Sequence, residues 1–164
     1  MHVDSPIDRS GLSAEELRRS LSAELAALWT GERDLIANCA NTAAVLYHAL
    51  ADLNWAGFYF LKGNDLVLGP FQGKPACVRI GPGRGVCGAA AARRTTLIVP
   101  DVHRFPDHIA CDSASNSEIV VPMLVGERLI GVLDIDSPKF DRFTTADGQW
   151  LESIVAGLLS ASEV

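Results

Sequence analysis

The sequence predicts an α+β fold built on a central, mostly antiparallel sheet. Three observations predict it: amphipathic helical patterns near both ends of the chain, aromatic and β-branched runs between them, and turn signals that join those runs. The terminal helices are expected on one face of the sheet and the cysteine-bearing loops on the other. The 164 residues suffice for one domain, so we expect a flexible N-terminal segment over 1–12 and a single domain over 13–164.

Two helices are expected to open the domain. Ser13 and Glu16 have the spacing of a capping box, and four leucines follow at helical spacing, which predicts a helix over 14–29. A second amphipathic pattern predicts a helix over 32–52, with Ile36 and Cys39 on its apolar stripe. Because free cysteine is among the most buried residue types, Cys39 is expected to be a packing residue.

An aromatic segment begins the sheet. Residues 55–60 and 66–69 predict two strands joined by a tight turn. Strand alternation places Trp55 and Tyr59 on one face and Phe58 on the other. One set is expected to pack against the helices, and the other is either a pocket wall or further core.

The middle of the chain is rich in glycine. Residues 81–88 lead into an alanine-rich helix that ends near Arg93, and a short strand follows over 97–99. Glycine loops that enter a helix can bind phosphate, but this one lacks the Lys-Ser/Thr pair of a P-loop and the dinucleotide spacing. Nucleotide binding is therefore not expected.

A hairpin and a last helix complete the predicted fold. Residues 119–125 and 128–135 predict two strands, and an apolar stripe after Phe143 predicts the helix. Asp134 and Asp136 fall on the same face of the second strand. Acids are depleted from strands, so either solvent exposure or a ligand site must explain this pair.

Charge and hydropathy exclude several classes of function. The net charge is −6 without a basic cluster, so a nucleic-acid surface is not expected. No apolar run reaches the roughly 18 residues that span a membrane, and the first residues lack the apolar core of an export signal. We therefore expect a cytoplasmic protein that does not bind membranes.

Four cysteines raise the question of redox or metal chemistry. They lie at positions 39, 77, 87 and 111 without any C-x-x-C pair, so a structural zinc site is not expected. Cys111 lies in a run of small polar residues between His108 and Glu118. Small neighbours leave the sulfur open, and His108 could help to lower the pKa of the thiol. This setting is typical of a reactive cysteine, although an incidental cysteine in a polar loop is the alternative.

Six segments together resemble the free methionine-(R)-sulfoxide reductases, a family built on the GAF fold. The resemblance runs from Asp34 to Leu159, and three of the segments carry a cysteine. The segments are NWAGFY at 54–59, GPFQGKPAC at 69–77, GVCG at 85–88, VPDVH at 99–103, HIACDSASNSEIVVP at 108–122 and GVLDIDS at 131–137.

The resemblance implies a GAF-like fold and a role for each group of residues. Cys111 would be the nucleophile, with Cys77 and Cys87 as the other members of the redox set. Three acids would bind and polarise the substrate: Glu118, Asp134 and Asp136. Two aromatics would form its apolar wall: Trp55 and Tyr59. The implied activity reduces free methionine-R-sulfoxide to methionine without a cofactor or metal, and thioredoxin recycles the resulting disulfide.

These residue types suit that chemistry. A sulfoxide becomes reactive once its oxygen takes a proton, and crowded, buried carboxyls keep a proton near neutral pH. The remaining carboxylates can pair with the ammonium of a free amino acid. The cysteine sulfenic acid then condenses with a second thiol. Cys77 is favoured as this second thiol because its turn-rich segment should move easily. Cys87 lies at a helix start, which could lower the pKa of its thiol.

Two further expectations follow from the resemblance. The alternative function is a non-catalytic GAF ligand sensor whose cysteines act as a redox switch. A homodimer is expected from the fold and from the apolar stripes of the long terminal helices.

Overall fold

The computed structural model describes residues 8–109 and 111–164, which contain four α-helices and six strands. The predicted flexible segment is 1–12. Its residues 1–7 lie outside the described part, and within the rest of it Arg9 pairs with Glu24 of the first helix. The elements are α1 Ala14–Trp29, α2 Leu35–Ala49, β1 Trp55–Lys62, β2 Asp65–Gly73, β3 Arg79–Ile80, α3 Gly85–Arg93, β4 Leu97–Val99, a 3₁₀ turn Val102–Arg104, β5 Ser117–Val125, β6 Arg128–Ser137 and α4 Thr145–Ala161.

The strands form one sheet in the order β3-β2-β1-β6-β5-β4, and each neighbouring pair is antiparallel. The predicted α+β class is therefore confirmed. In the centre of the sheet Trp55 of β1 pairs with Asp136 of β6, which pairs in turn with Glu118 of β5. Paired residues of neighbouring strands project from the same face. This row therefore places an aromatic ring and two acids side by side.

The two faces of the sheet carry different layers, as predicted. Helices α1, α2 and α4 pack on one face around Phe58, Leu133 and Ile135. Helix α3 and the cysteine-bearing loops cover the other face, where Trp55 and Tyr59 lie. Strand β1 thus separates the helical core from the site.

Helix α1 has the predicted bounds because its capping box forms: the Ser13 hydroxyl accepts from the Glu16 backbone N–H, and the Glu16 carboxylate accepts from the Ser13 N–H. Helix α2 is shorter than predicted because Asp34 caps it by accepting from the Ala37 N–H. Cys39 is fully buried in the helical core, as predicted.

Three details differ from the predictions. Ile36, expected on the buried stripe of α2, is 52% exposed. Strand β2 continues past its predicted end at residue 69 to Gly73. Ile130 packs against the helical core, although alternation puts it on the face of Val132, because the β5–β6 register shifts by one residue there.

No helix within the described residues has both the length and the apolar character needed to cross a membrane.

Candidate active site

A pocket opens on the face of the sheet that carries α3, and its empty space, counted out to the mouth, is about 550 Å³. Seven of the eight residues assigned a role from the sequence line it, and the eighth, Cys77, is bonded to one of them, Cys111. The seven lining residues are Trp55, Tyr59, Cys87, Cys111, Glu118, Asp134 and Asp136. The structure therefore brings together residues from three strands, one helix and two loops.

Acids form the floor of the pocket. Glu118 is 6% exposed and Asp134 is 7% exposed, while Asp136 is half-buried. Burial and the neighbouring charges of Asp134 and Asp136 raise the pKa of Glu118 well above its usual range. Burial likewise raises the pKa of Asp136, and it raises the pKa of Asp134 to about 6. At neutral pH the floor therefore combines protonated and ionised carboxyls.

Cys87 lies in the first turn of α3, directly against these acids. Its Sγ is 3.9 Å from Glu118 Oε1, and the residue is 4% exposed. Burial, reinforced by the charges of Asp134 and Glu118, raises the pKa of the Cys87 thiol well above its usual range. The suggestion that the helix N-terminus lowers this pKa is wrong, because desolvation and nearby acids outweigh the helix dipole. Cys87 is a neutral thiol here.

Cys77 and Cys111 form a disulfide at the mouth of the pocket. Their Cα atoms are 5.6 Å apart, and both residues are half-buried. The bond joins two loops that are 34 residues apart in the chain. Cys87 and Cys39 are the free cysteines of this state.

The aromatic wall also anchors the Cys77 segment. The Tyr59 hydroxyl donates to the Cys77 carbonyl at 3.0 Å, and Trp55 Nε1 donates to the Lys74 carbonyl at 3.2 Å. The Trp55 ring stacks between those of Tyr59 and Phe71. There is room for it because Gly57 has no side chain: a Cβ there would lie 2.6 Å from the Trp55 ring.

The Cys111 segment is anchored separately, by the residue before β1. Asn54 Nδ2 donates to Ser115 Oγ at 2.9 Å and to Asp112 Oδ2 at 3.2 Å. Lys74 Nζ lies 4.0 Å from Asp112 Oδ1, so an ion pair between an exposed lysine and a half-buried aspartate links the two cysteine segments. The start of β1 thus positions both sulfur-bearing loops.

Comparisons with known proteins show which family this chain is similar to. A family model described as GAF domain matches residues 8–162. The chain is 55% identical over 147 residues to the free methionine-R-sulfoxide reductase of Escherichia coli, covering 90% of this chain and 89% of that protein. It is 41% identical over 161 residues to the Saccharomyces cerevisiae protein of the same name, covering 93% and 89% of the two chains.

A solved structure agrees with these relatives. The free methionine-R-sulfoxide reductase of Neisseria meningitidis, in complex with its substrate, superposes with a TM-score of 0.90 at 43% identity, covering 95% of this chain and 94% of that one. The chain belongs to the free methionine-R-sulfoxide reductase family of GAF domains. The family resemblance predicted from the six segments is therefore confirmed.

Four residues that position the site of this family member were not singled out from the sequence. They are Asn54, Lys74, Asp112 and Ser115. All four lie within or next to cysteine-bearing or aromatic motifs, which was the only available signal. The hypothesis that His108 lowers the pKa of the Cys111 thiol loses support. Burial and the charge of His103 lower the pKa of His108 and leave it neutral at pH 7.

The buried acids should make this reductase family member less stable as the pH rises. The unfolded chain releases the Glu118 and Asp134 protons near pKa 4.5 and 3.8, whereas the folded chain keeps them to higher pH. The folded state therefore binds more protons from about pH 4 upward, and the free energy of unfolding should fall through about pH 6 and above. Glu118→Gln should remove part of this loss and raise the free energy of unfolding at pH 8.

Thermal unfolding of the oxidised protein between about pH 5 and pH 8 measures the effect. At pH 8 the melting temperature of Glu118→Gln should exceed that of the wild type, by roughly 2–4 °C for each kcal/mol of stabilisation. The matched control is Glu127→Gln, which changes an exposed acid in the β5–β6 turn and should follow the wild-type pH dependence. A wild-type stability that increases between pH 6 and pH 8 would contradict the protonated floor.

Proposed function

We propose that this protein reduces free methionine-R-sulfoxide to methionine, with Cys111 as the nucleophile and Cys77 as the resolving thiol. The observation that carries the proposal is a disulfide between two pocket cysteines, set over a floor of protonated and ionised acids. A pocket that only held a ligand would need neither feature.

The floor supplies the proton that activates the sulfoxide. Glu118 is the best candidate for the donor, because it is the most buried of the acids with a pKa well above its usual range. It donates to the sulfoxide oxygen while the Cys111 thiolate attacks the sulfur. Collapse of the adduct transfers the oxygen to Cys111, which releases methionine and leaves a sulfenic acid.

The second half of the cycle restores the thiols. The Cys77 thiol attacks the Cys111 sulfenic acid, which expels water and forms the disulfide present in this structure. Thioredoxin then reduces that disulfide and is itself oxidised. The balance is one sulfoxide and one dithiol consumed for one methionine, one water and one disulfide formed. Cys87 is the third member of the redox set, a buried thiol beside the acids that does not take part in this disulfide.

Recognition of the free amino acid follows from the other acids and the aromatic wall. Asp134 and Asp136 bind the ammonium group of the substrate, a group that a peptide-bound residue lacks. The methyl end packs against Trp55 and Tyr59, which are 3% and 2% exposed. Charge recognition at one end and apolar packing at the other select a free methionine sulfoxide.

The wider setting is part of the same proposal. Residues 13–164 form a single catalytic domain that follows the N-terminal segment 1–12, and the reaction takes place in the cytoplasm. Thioredoxin is the electron donor, and no cofactor or resident metal takes part. The protein assembles as a homodimer.

A single-turnover assay tests the function. The fully reduced protein is mixed with the (R) or the (S) diastereomer of free methionine sulfoxide, without any reductant. The (R) form should yield about one methionine per chain and lower the thiol count from four to two, since only Cys39 and Cys87 stay free. The (S) form should yield neither, and added thioredoxin should make the (R) reaction continue. If the (R) form binds while all thiols persist and no methionine appears, the protein is a sensor.

A further inference from the structure

Three metal-ligating side chains meet in the pocket. Cys87, Glu118 and Asp134 are buried, and one ligand atom from each lies within 4.8 Å of the others. Cys87 comes from α3, whereas the two acids come from the neighbouring strands β5 and β6. Regular secondary structure therefore holds one sulfur and two carboxylate oxygens close together, deeper than the disulfide.

Asp134 provides a second observation, a buried carboxylate oxygen without a hydrogen-bond partner in the described part of the chain. Its side chain is 7% exposed, yet Oδ1 has no hydrogen-bond partner among the described residues. A buried polar atom without a partner is destabilising and rare in folded proteins. The residue lines the pocket, so a ligand that enters from solvent can reach this oxygen.

We propose that Cys87, Glu118 and Asp134 bind a divalent transition-metal ion, with Zn²⁺ as the best chemical match. Zinc accepts both thiolate and carboxylate ligands, whereas Mg²⁺ and Ca²⁺ prefer oxygen alone. Zinc–sulfur and zinc–oxygen bonds of about 2.3 and 2.0–2.2 Å put neighbouring ligands roughly 3.3–3.6 Å apart in a tetrahedron. The 3.9 Å between Cys87 Sγ and Glu118 Oε1 needs only a small contraction.

The ion is an incoming ligand and not a resident cofactor. Its binding replaces the protons of the Cys87 thiol and of the Glu118 carboxyl, which pass to solvent, and a water from the open side of the pocket completes the coordination. Because Glu118 and Asp134 also serve the proposed reduction, Zn²⁺ should inhibit it in competition with the sulfoxide. This consequence alone rests on the proposed function.

A cobalt titration tests the site without any catalysis. The oxidised protein is used, because the Cys77–Cys111 disulfide leaves only Cys39 and Cys87 as thiols. Co²⁺ should produce a thiolate-to-cobalt charge-transfer absorption at about one ion per chain, and Zn²⁺ should displace it. Cys39→Ser, the matched control in the helical core, should keep the absorption. Cys87→Ser should abolish it and weaken Zn²⁺ binding by roughly 10²-fold.

A second variant covers the case in which Cys87→Ser perturbs packing. Glu118→Gln keeps the thiol and removes one anionic ligand, so Zn²⁺ affinity should fall at least about tenfold while the variant unfolds cooperatively. Wild-type protein without charge-transfer absorption at millimolar Co²⁺, or equal absorption in wild-type and Cys87→Ser proteins, would overturn the site. A failed reductase assay would leave this measurement untouched, so the two proposals can fail separately.

Discussion

Cys111→Ser should abolish methionine formation, with a loss of at least roughly 10³-fold in a single turnover. Serine has nearly the shape of cysteine, but its hydroxyl neither ionises near neutral pH nor accepts the sulfoxide oxygen. The half-buried position of Cys111 makes the change easy to accommodate in the fold. Methionine released per chain, measured before any reductant is added, gives the result directly.

Cys77→Ser separates the nucleophile from the resolving thiol. This variant should still form about one methionine per chain, because Cys111 is intact, and should then stall as a sulfenic acid that a carbon nucleophile such as dimedone can trap. Cys39→Ser is the control, since Cys39 is fully buried in the helical core on the other face of the sheet. It should turn over repeatedly with thioredoxin.

The reverse pattern would exchange the roles of the two residues. If Cys77→Ser formed no methionine and Cys111→Ser formed one equivalent, the nucleophile would be Cys77. Full turnover by Cys111→Ser would end the thiol mechanism, and the disulfide would then be a switch.

Strand alternation explains why the composition of the site was predictable. Residues two apart on β1 share a face, so Trp55 and Tyr59 had to lie together, and the same holds for Asp134 and Asp136 on β6. Antiparallel pairing then placed Trp55, Asp136 and Glu118 in one row. The capping box and leucine spacing fixed α1 in the same local way.

Contacts between distant segments were not predictable. The bond from Asn54 to Ser115 joins residues 61 apart, and the bond from Tyr59 to the Cys77 carbonyl depends on how a loop closes over the sheet. No local pattern encodes either contact. The state of Cys87 was missed for the same reason: a helix start lowers a thiol pKa in isolation, but the acids that reverse this effect come from β5 and β6.

Glu118→Gln should lower kcat by roughly 10²-fold or more, the second largest effect expected. The amide keeps the shape of the side chain but cannot give a proton to the sulfoxide oxygen. Glu118→Asp, which retains an acid in the same buried place, should recover part of the rate. Steady-state assays with thioredoxin in excess measure both variants, and thiol counting verifies that each starts reduced.

Variants of the neighbouring aspartates should behave differently from Glu118→Gln, and this contrast identifies the proton donor. Asp134→Asn and Asp136→Asn remove anions that face the substrate ammonium, so KM should rise more than kcat falls. The two variants should also lose much of the preference for free methionine-R-sulfoxide over its N-acetyl form, which has no ammonium, whereas Glu118→Gln should keep that preference. If an aspartate variant loses kcat and Glu118→Gln does not, that aspartate is the acid. If all three amide variants turn over at the wild-type rate, the proton comes from a group outside the carboxyl floor. The buried acids, with their raised pKa values, would then serve substrate binding alone.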